Sequence, residues 1–370
     1  MTRPHALEAP HRRREGPPRI VEKATIWGYK ATAFMLSHLP PRPAWVVIGT
    51  FSKAGYLLWP TKRRWVNANF GHVLGKPPGD RAVRALALRA YGHYARYLVE
   101  LMRLPSMPAD LRARLVDPEG IARLETAFRA SNGLILSVGH IGNNEACAAG
   151  VASRGWPISV VADDSTFPEM FELLKQQRES WGVSIIPWRN LRAVYAVLRR
   201  KEILGLLVDW GYRPDGIPVK LFDAWTTLPS GPATLAAKTG ASIVPVTLSR
   251  MPDGRFTAVV EAPIAVESAA PADLWRATQA MADALARGIA VAPDQWYSFK
   301  PIWPATEEEC ARLEARARQM QAQTSVATPS AAVEEPPVAD RPRVADKPGV
   351  LDQPLVADPP AERLQAADAG

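Results

Sequence analysis

The chain has 370 residues, 47 % of them hydrophobic, enough for a sizeable core in one large domain or two small ones. Two cysteines, Cys147 and Cys310, exclude a disulfide framework, and the six histidines lack the spacing of metal ligands. The formal net charge is +8, but residues 325–370 hold eight acidic and four basic residues, so the body up to residue 324 carries +12. Such a body suits an anionic partner: nucleic acid, anionic lipid or a phosphorylated substrate. The basic residues are scattered and no recognition module is visible, which argues against nucleic acid.

Residues 1–23 are polar, with Arg12-Arg13-Arg14 and paired prolines at 17 and 18. They read as a disordered basic arm, without the apolar run or cleavage site of a secretory signal. Residues 24–66 alternate apolar runs with breaks at Pro40-Pro41 and Lys53, and neither run approaches the ~20 residues needed to cross a bilayer. Trp27, Trp45, Tyr56, Trp59 and Trp65 interleave with Lys30, Lys53, Lys62, Arg63 and Arg64. Tryptophan beside basic side chains suits the headgroup layer, so this segment predicts helices lying in a membrane interface. The alternative is that they only pack on the core. A peripheral, monotopic protein on the cytoplasmic face of the plasma (inner) membrane is expected.

Residues 67–305 read as the catalytic α/β domain. Ala85, Leu88, Tyr91, Tyr94, Leu98 and Leu101 recur at threes and fours, predicting a helix over 80–115, and a short helix is predicted over 117–130. Strands are predicted at 133–138, 158–162, 183–187, 203–208 and up to Ser249, with helices at 168–181 and 191–200 between them. This alternation predicts a mostly parallel central sheet flanked by helices. Phe256 to Glu261 is an edge strand, 271–291 a helix, and the aromatic stretch Pro293 to Trp303 a loop that closes the domain. Residues 306–324 form a charged helical extension. From 325 to 370 there are eight prolines and no aromatic residue, and a Val-x-Asp unit recurs every six residues; a disordered tail without catalytic residues is expected.

The predicted strand Gly133 to Val138 leads into Gly139-His140-Ile141-Gly142-Asn143-Asn144-Glu145. Asn143 or Asn144 is suited to cap a helix with Glu145 in its first turn, where a carboxylate complements the helix dipole. His140 is then expected at the carboxyl edge of a parallel sheet, where ligands bind. An imidazole there is suited to take a proton near neutral pH. Read alone, the His-x4-Glu pattern equally fits a histidine that hydrogen-bonds a neighbouring loop. Cys147, in the apolar run just after it, reads as core and not as a nucleophile.

Four further blocks follow in order: Phe171 to Gly182, Ile203 to Asp209, Thr227 to Ala233, and Thr239 to Pro245. Together with His-x4-Glu they resemble the bacterial lipid A biosynthesis (late) acyltransferase family, and within it the phosphatidylinositol mannoside acyltransferase branch. The resemblance covers roughly residues 24–304. It implies transfer of a fatty acyl group from a thioester, acyl-CoA or acyl-ACP, to a hydroxyl of a membrane glycolipid such as a phosphatidylinositol mannoside or a lipid A precursor. No metal or other cofactor is implied. The partners are the acyl donor, with acyl carrier protein where it carries the thioester, the glycolipid acceptor and membrane lipids.

His140 is then the general base. Glu145 and Asp209 compete to hold the imidazolium; in the mannoside branch an acid at the Asp209 position partners the histidine, so Asp209 is favoured as orienter and Glu145 as the residue that shapes the turn. Arg178 matches a family arginine suited to a phosphate or polar head, against the alternative of a solvated helix face. Thr227, Ser230 and Gly231 lie in a predicted turn and helix start whose backbone N–H groups are suited to an anionic oxygen, or form a plain capped helix. Trp210-Gly211-Tyr212-Arg213 after Asp209 departs from the family pattern and leaves acceptor identity open. Rival readings are a glycerolipid or lysophospholipid acyltransferase and, from another class, a catalytically inactive membrane scaffold.

Overall fold

The computed structural model describes residues 19–164 and 167–323. Residues 1–18, most of the segment read as the arm, and residues 324–370, which include the tail, lie outside the described residues. The elements in chain order are α1 (Arg19–His38), α2 (Pro41–Leu58), α3 (Pro60–Leu74), α4 (Arg81–Arg103), α5 (Ala109–Ala113), α6 (Pro118–Ala130), β1 (Leu134–Val138), α7 (Asn144–Ala152), β2 (Ile158–Ala162), α8 (Pro168–Glu179), β3 (Val183–Pro187) and α9 (Leu191–Arg199). They continue with β4 (Ile203–Leu207), β5 (Ile217–Leu221), β6 (Ala224–Leu228), α10 (Gly231–Thr239), β7 (Ser242–Arg250), β8 (Phe256–Val260), α11 (Pro271–Val291) and α12 (Glu307–Ala322).

Six strands form one sheet in the order β3-β2-β4-β1-β7-β8, parallel except for the antiparallel edge pair β7–β8. Alternation along the strands sends their side chains to two cores. Leu134 and Leu136 pack with α6 and α7 on one face, while Ile135 and Leu204 pack with α9, α10 and Met281 of α11 on the other. The fold class is therefore the expected mixed α/β one with a mostly parallel sheet between helical layers. Gly133 to Val138 reads as strand because it is short, apolar and closed off by glycines.

Several elements differ from the sequence-based reading. The first helix begins at Arg19, inside the segment read as the arm. α3 runs through the boundary drawn at residue 66, and its Val66, Asn67, Asn69 and Phe70 are buried under the sheet's carboxyl edge. The single helix expected over 80–115 stops at Arg103, and a 3₁₀ turn over Leu104–Ser106 leads to the short α5; Pro105 and Pro108 cannot continue the helical ladder. The β5–β6 hairpin was not anticipated. Its two-residue loop is Phe222-Asp223, both at positive φ, in place of the Asn-Gly or Asp-Gly pair that announces such a turn. α12 packs Leu313 and Ala317 inward instead of extending freely, and Arg316 donates to the backbone oxygens of Pro214 and Gly216.

α1 and α2 pack on α4 through Leu36, Ala44 and Val99. Their outer faces leave Trp27, Phe34, Val46, Phe51, Leu58 and Trp59 more than half exposed. Among the described residues, no helix is long and apolar enough to cross a membrane.

Candidate active site

The site grows from the register of two neighbouring strands. Val138 of β1 pairs with Leu207 of β4, and the backbone N–H of Val208 donates to the Val138 carbonyl. Two residues past each of these partners stand His140 and Asp209, on the same edge because the strands are parallel. His140 Nδ1 and Asp209 Oδ1 are 2.6 Å apart. Asp209 Oδ2 accepts the backbone N–H of His140 at 2.9 Å and the indole N–H of Trp296 at 2.8 Å.

The turn around His140 needs its glycines. A Cβ on Gly139 would lie 2.6 Å from the Leu285 side chain, and one on Gly142, which has φ +68°, would collide with the Leu248 carbonyl oxygen. Asn143 caps α7 by accepting the Ala146 N–H at 3.0 Å, and the Asn144 side chain donates to the Gly139 carbonyl at 2.9 Å. The aromatic loop closes over the turn as expected. Tyr297 N–H donates to the His140 carbonyl at 2.8 Å and Gly142 N–H to the Gln295 carbonyl at 3.0 Å.

Burial pulls the His140 pKa down, but the Asp209 carboxylate beside it outweighs this, and the net direction is up. Burial alone would raise Asp209; the imidazole's charge and hydrogen bond, the backbone N–H and the Trp296 indole hold it below the usual carboxylate range. A charged pair is thus favoured, and Nε2 is the ring nitrogen left for a substrate.

Glu145 does not reach the imidazole. In the first turn of α7 it takes Arg178, in the last turn of α8, through a two-pronged pair: Nε to Oε2 at 2.9 Å and Nη2 to Oε1 at 2.5 Å. Both side chains are more than four-fifths covered. The guanidinium fork expected to hold a phosphate is therefore occupied by Glu145. Thr227, Ser230 and Gly231 are not brought to His140. Thr227 is buried in β6, with its hydroxyl donating to the Arg213 carbonyl at 2.6 Å, while Ser230 and Gly231 are exposed at the start of α10. None of the three lines the cavity described next.

His140, Asp209, Glu145 and Arg178 stand at one end of a cavity of about 640 Å³. From there it runs back along the sheet between Leu136, Val160 and Leu207 on the strands and Val151, Met170, Phe171 and Leu174 on α7 and α8. Its polar end and long apolar body suit a substrate with a reactive head and a hydrocarbon tail. Burial pushes the Cys147 thiol in its wall well up, so it stays protonated and is no nucleophile near neutral pH. Burial likewise pushes the Tyr297 phenol up to about 12. Among the described residues, no group of three or more His, Cys, Asp or Glu side chains is placed to hold a metal ion.

Sequence reasoning missed Trp296 as a partner of Asp209 and Lys300 as a cation of the site. Lys300 lines the cavity with its Nζ 4.7 Å from the Trp210 ring centre, and Trp210 meets the His140 ring edge-on. The Asn69 amide fixes that loop by donating to the carbonyls of Ser298 and Lys300. A buried indole needs an acceptor, and that was the available signal for Trp296; which acid it meets depends on contacts across 87 residues.

The profile of the family described as bacterial lipid A biosynthesis acyltransferase matches residues 16–304. The chain is 28 % identical over 298 residues to the phosphatidylinositol mannoside acyltransferase of Mycolicibacterium smegmatis, covering 79 % of this chain and 96 % of that protein. It is 28 % identical over 309 residues to the protein of the same name from Mycobacterium tuberculosis strain CDC 1551, covering 81 % and 95 %.

Proposed function

The chain belongs to the bacterial lipid A biosynthesis acyltransferase family and is an acyltransferase, and from that premise we propose that it moves a fatty acyl chain from an acyl thioester to a hydroxyl of a membrane glycolipid. The observation that carries this reading is the His140–Asp209 pair, 2.6 Å apart, at the polar end of an otherwise apolar cavity. The names of the relatives favour a phosphatidylinositol mannoside as acceptor over a lipid A precursor.

In this reading the acyl tail lies along the sheet and the thioester carbonyl stands beside His140. Nε2 takes the proton of the acceptor hydroxyl as its oxygen attacks the carbonyl carbon. The new C–O bond forms, the C–S bond breaks, and the imidazolium returns the proton to the departing sulfur, leaving an ester and a free thiol. Asp209 holds the ring and stabilises the imidazolium without itself taking the proton. Glu145 and Arg178 are positioning residues that tie α7 to α8 across the cavity's head. Lys62 and Lys300 line the same cavity, and their charge suits the phosphates of a thioester carrier or an acceptor headgroup.

The exposed apolar faces of α1 and α2 support a seat in the membrane interface, which brings the cavity to its lipid acceptor. The test is transfer from radiolabelled palmitoyl-CoA and palmitoyl-ACP, offered separately, to purified mannoside lipid, lipid A precursor or lysophospholipid. Label in the mannoside lipid is expected. Label only in lysophospholipid would favour the glycerolipid reading, and no label in any lipid would remove the transferase reading.

A further inference from the structure

The floor of the cavity contains a glycine that its own backbone does not require. Gly205 is the middle residue of β4 in the interior of the sheet, paired with Leu136 of β1 on one side and Val160 of β2 on the other. The row continues to Val244 and Ile185, so four branched residues in five stand beside this one position without a side chain. Glycine inside a strand is less stable than alanine by ~0.5–1 kcal/mol. Here neither a turn nor a left-handed φ calls for it, since Gly205 is absent from the positive-φ positions. A strand glycine away from a bulge or bend marks close approach by a ligand or another backbone, and a ligand is the case that fits a glycine lining a cavity.

The space above Gly205 fits that reason. A Cβ placed there would touch Val160 Cγ1 at 3.1 Å and the Ser159 carbonyl oxygen at 3.8 Å, with no other described atom within 4 Å outside its chain neighbours. A longer side chain would therefore grow into the cavity, which Gly205, Leu136 and Val160 all line. Asp209 is four residues further along the chain, so the furrow lies roughly 13 Å of strand inward from the reacting end.

We propose that Gly205 is the residue that decides how long an acyl chain the protein accepts: the missing side chain opens a furrow through which long chains pass beyond the middle of the sheet. This rests on the acyl-transfer reading for the identity of the tail, but not for the existence of the furrow. Filling it stepwise truncates the cavity. Gly205→Ala fills it in part, with a small shift of Val160. Gly205→Val closes it, and valine is a residue that a strand favours, so the sheet is retained.

The experiment measures kcat/KM on the full chain for saturated acyl thioesters from octanoyl to stearoyl. The stearoyl-to-octanoyl ratio is expected to fall at least about tenfold in Gly205→Val and less in Gly205→Ala, the discrimination that a steric change in an apolar pocket gives. Leu206→Val, on the adjoining residue that packs into the opposite core, is the control and should leave the ratio where it was. An unchanged ratio in Gly205→Val, or a parallel fall for all donors, overturns the proposal. Thermal stabilisation by free octanoate, palmitate and stearate gives a second readout that needs no turnover. If the wild type transfers nothing but Gly205→Val still loses stabilisation by stearate alone, the furrow stands and the transferase reading falls. If no fatty acid stabilises the wild type, the furrow falls too.

Discussion

Trp296 donates its indole N–H to Asp209 Oδ2 at 2.8 Å, on the carboxylate whose other oxygen faces His140. The indole is fully buried, and the backbone N–H of His140 shares the same oxygen. The aspartate is thus held by three donors from two parts of the chain, His140 and Trp296, and its freedom to turn away from the imidazole is removed. Trp296→Phe deletes one donor and leaves a smaller aromatic ring in its place. It should cost about 1–3 kcal/mol of stability, measured by denaturant unfolding, and lower turnover by less than loss of the carboxylate itself.

The pair His140 and Asp209 should behave as one unit. His140→Ala is expected to lower turnover ~10²–10⁴-fold with the fold intact by circular dichroism. Asp209→Asn keeps the shape, removes the charge, and should also lose strongly with little change in donor binding. The double variant should be barely worse than His140→Ala, because residues that act together are non-additive. Normal turnover by His140→Ala would end the mechanism.

The rate should rise with pH on an acid limb set by His140. The base works deprotonated, and its pKa is raised in the folded protein because Asp209 outweighs burial. Activity should therefore fall away at a higher pH than for an ordinary histidine. In Asp209→Asn the raising influence is gone while burial and the Lys300 charge remain, so the limb should move to lower pH. For stability the sign is that of a raised histidine: the contribution is full below the unfolded pKa, ~6.5, and is lost as pH rises through the folded value. Kinetic and unfolding profiles against pH check the two halves separately.

Glu145 and Arg178 should matter through structure. Arg178→Met leaves a mostly buried carboxylate without its partner, which should cost about 3–5 kcal/mol and lower the thermal midpoint. Glu145→Gln keeps an acceptor for the guanidinium and should cost less in both stability and turnover. Glu145→Gln losing as much turnover as His140→Ala, with its thermal midpoint unchanged, would mean that Glu145 takes part in the chemistry.

The outer faces of α1 and α2 should bind lipid. Trp27→Ser and Phe51→Ser replace exposed apolar side chains, so the thermal midpoint should hold while affinity for anionic vesicles falls by roughly tenfold each, the scale of removing part of an aromatic side chain from apolar surroundings. Vesicle flotation reads this directly. Undiminished flotation by the double variant would place the membrane contact elsewhere.

The secondary structure from residue 118 onward was largely legible in the sequence because each central strand is a short apolar run bounded by glycine, proline or polar residues. The same local signals placed His140 on a Gly-rich strand-to-helix turn and offered Asn143 or Asn144 as its helix cap, which the structure assigns to Asn143. What local pattern does not carry is which strands are neighbours. Asp209 meets His140 only because β4 lies against β1 in parallel register, while Glu145, five residues from His140, turns away along α7 to meet Arg178. The β5–β6 hairpin was illegible because its loop is Phe-Asp, and Thr227 was misplaced with it. Sequence by itself determined most elements of the central sheet and its helices, the histidine turn and the resemblance to the family. The tertiary structure decided the acid that holds the base, the occupied fork of Arg178, the indole on Asp209 and the furrow over Gly205, because each depends on groups that only packing of distant segments brings within a few ångströms.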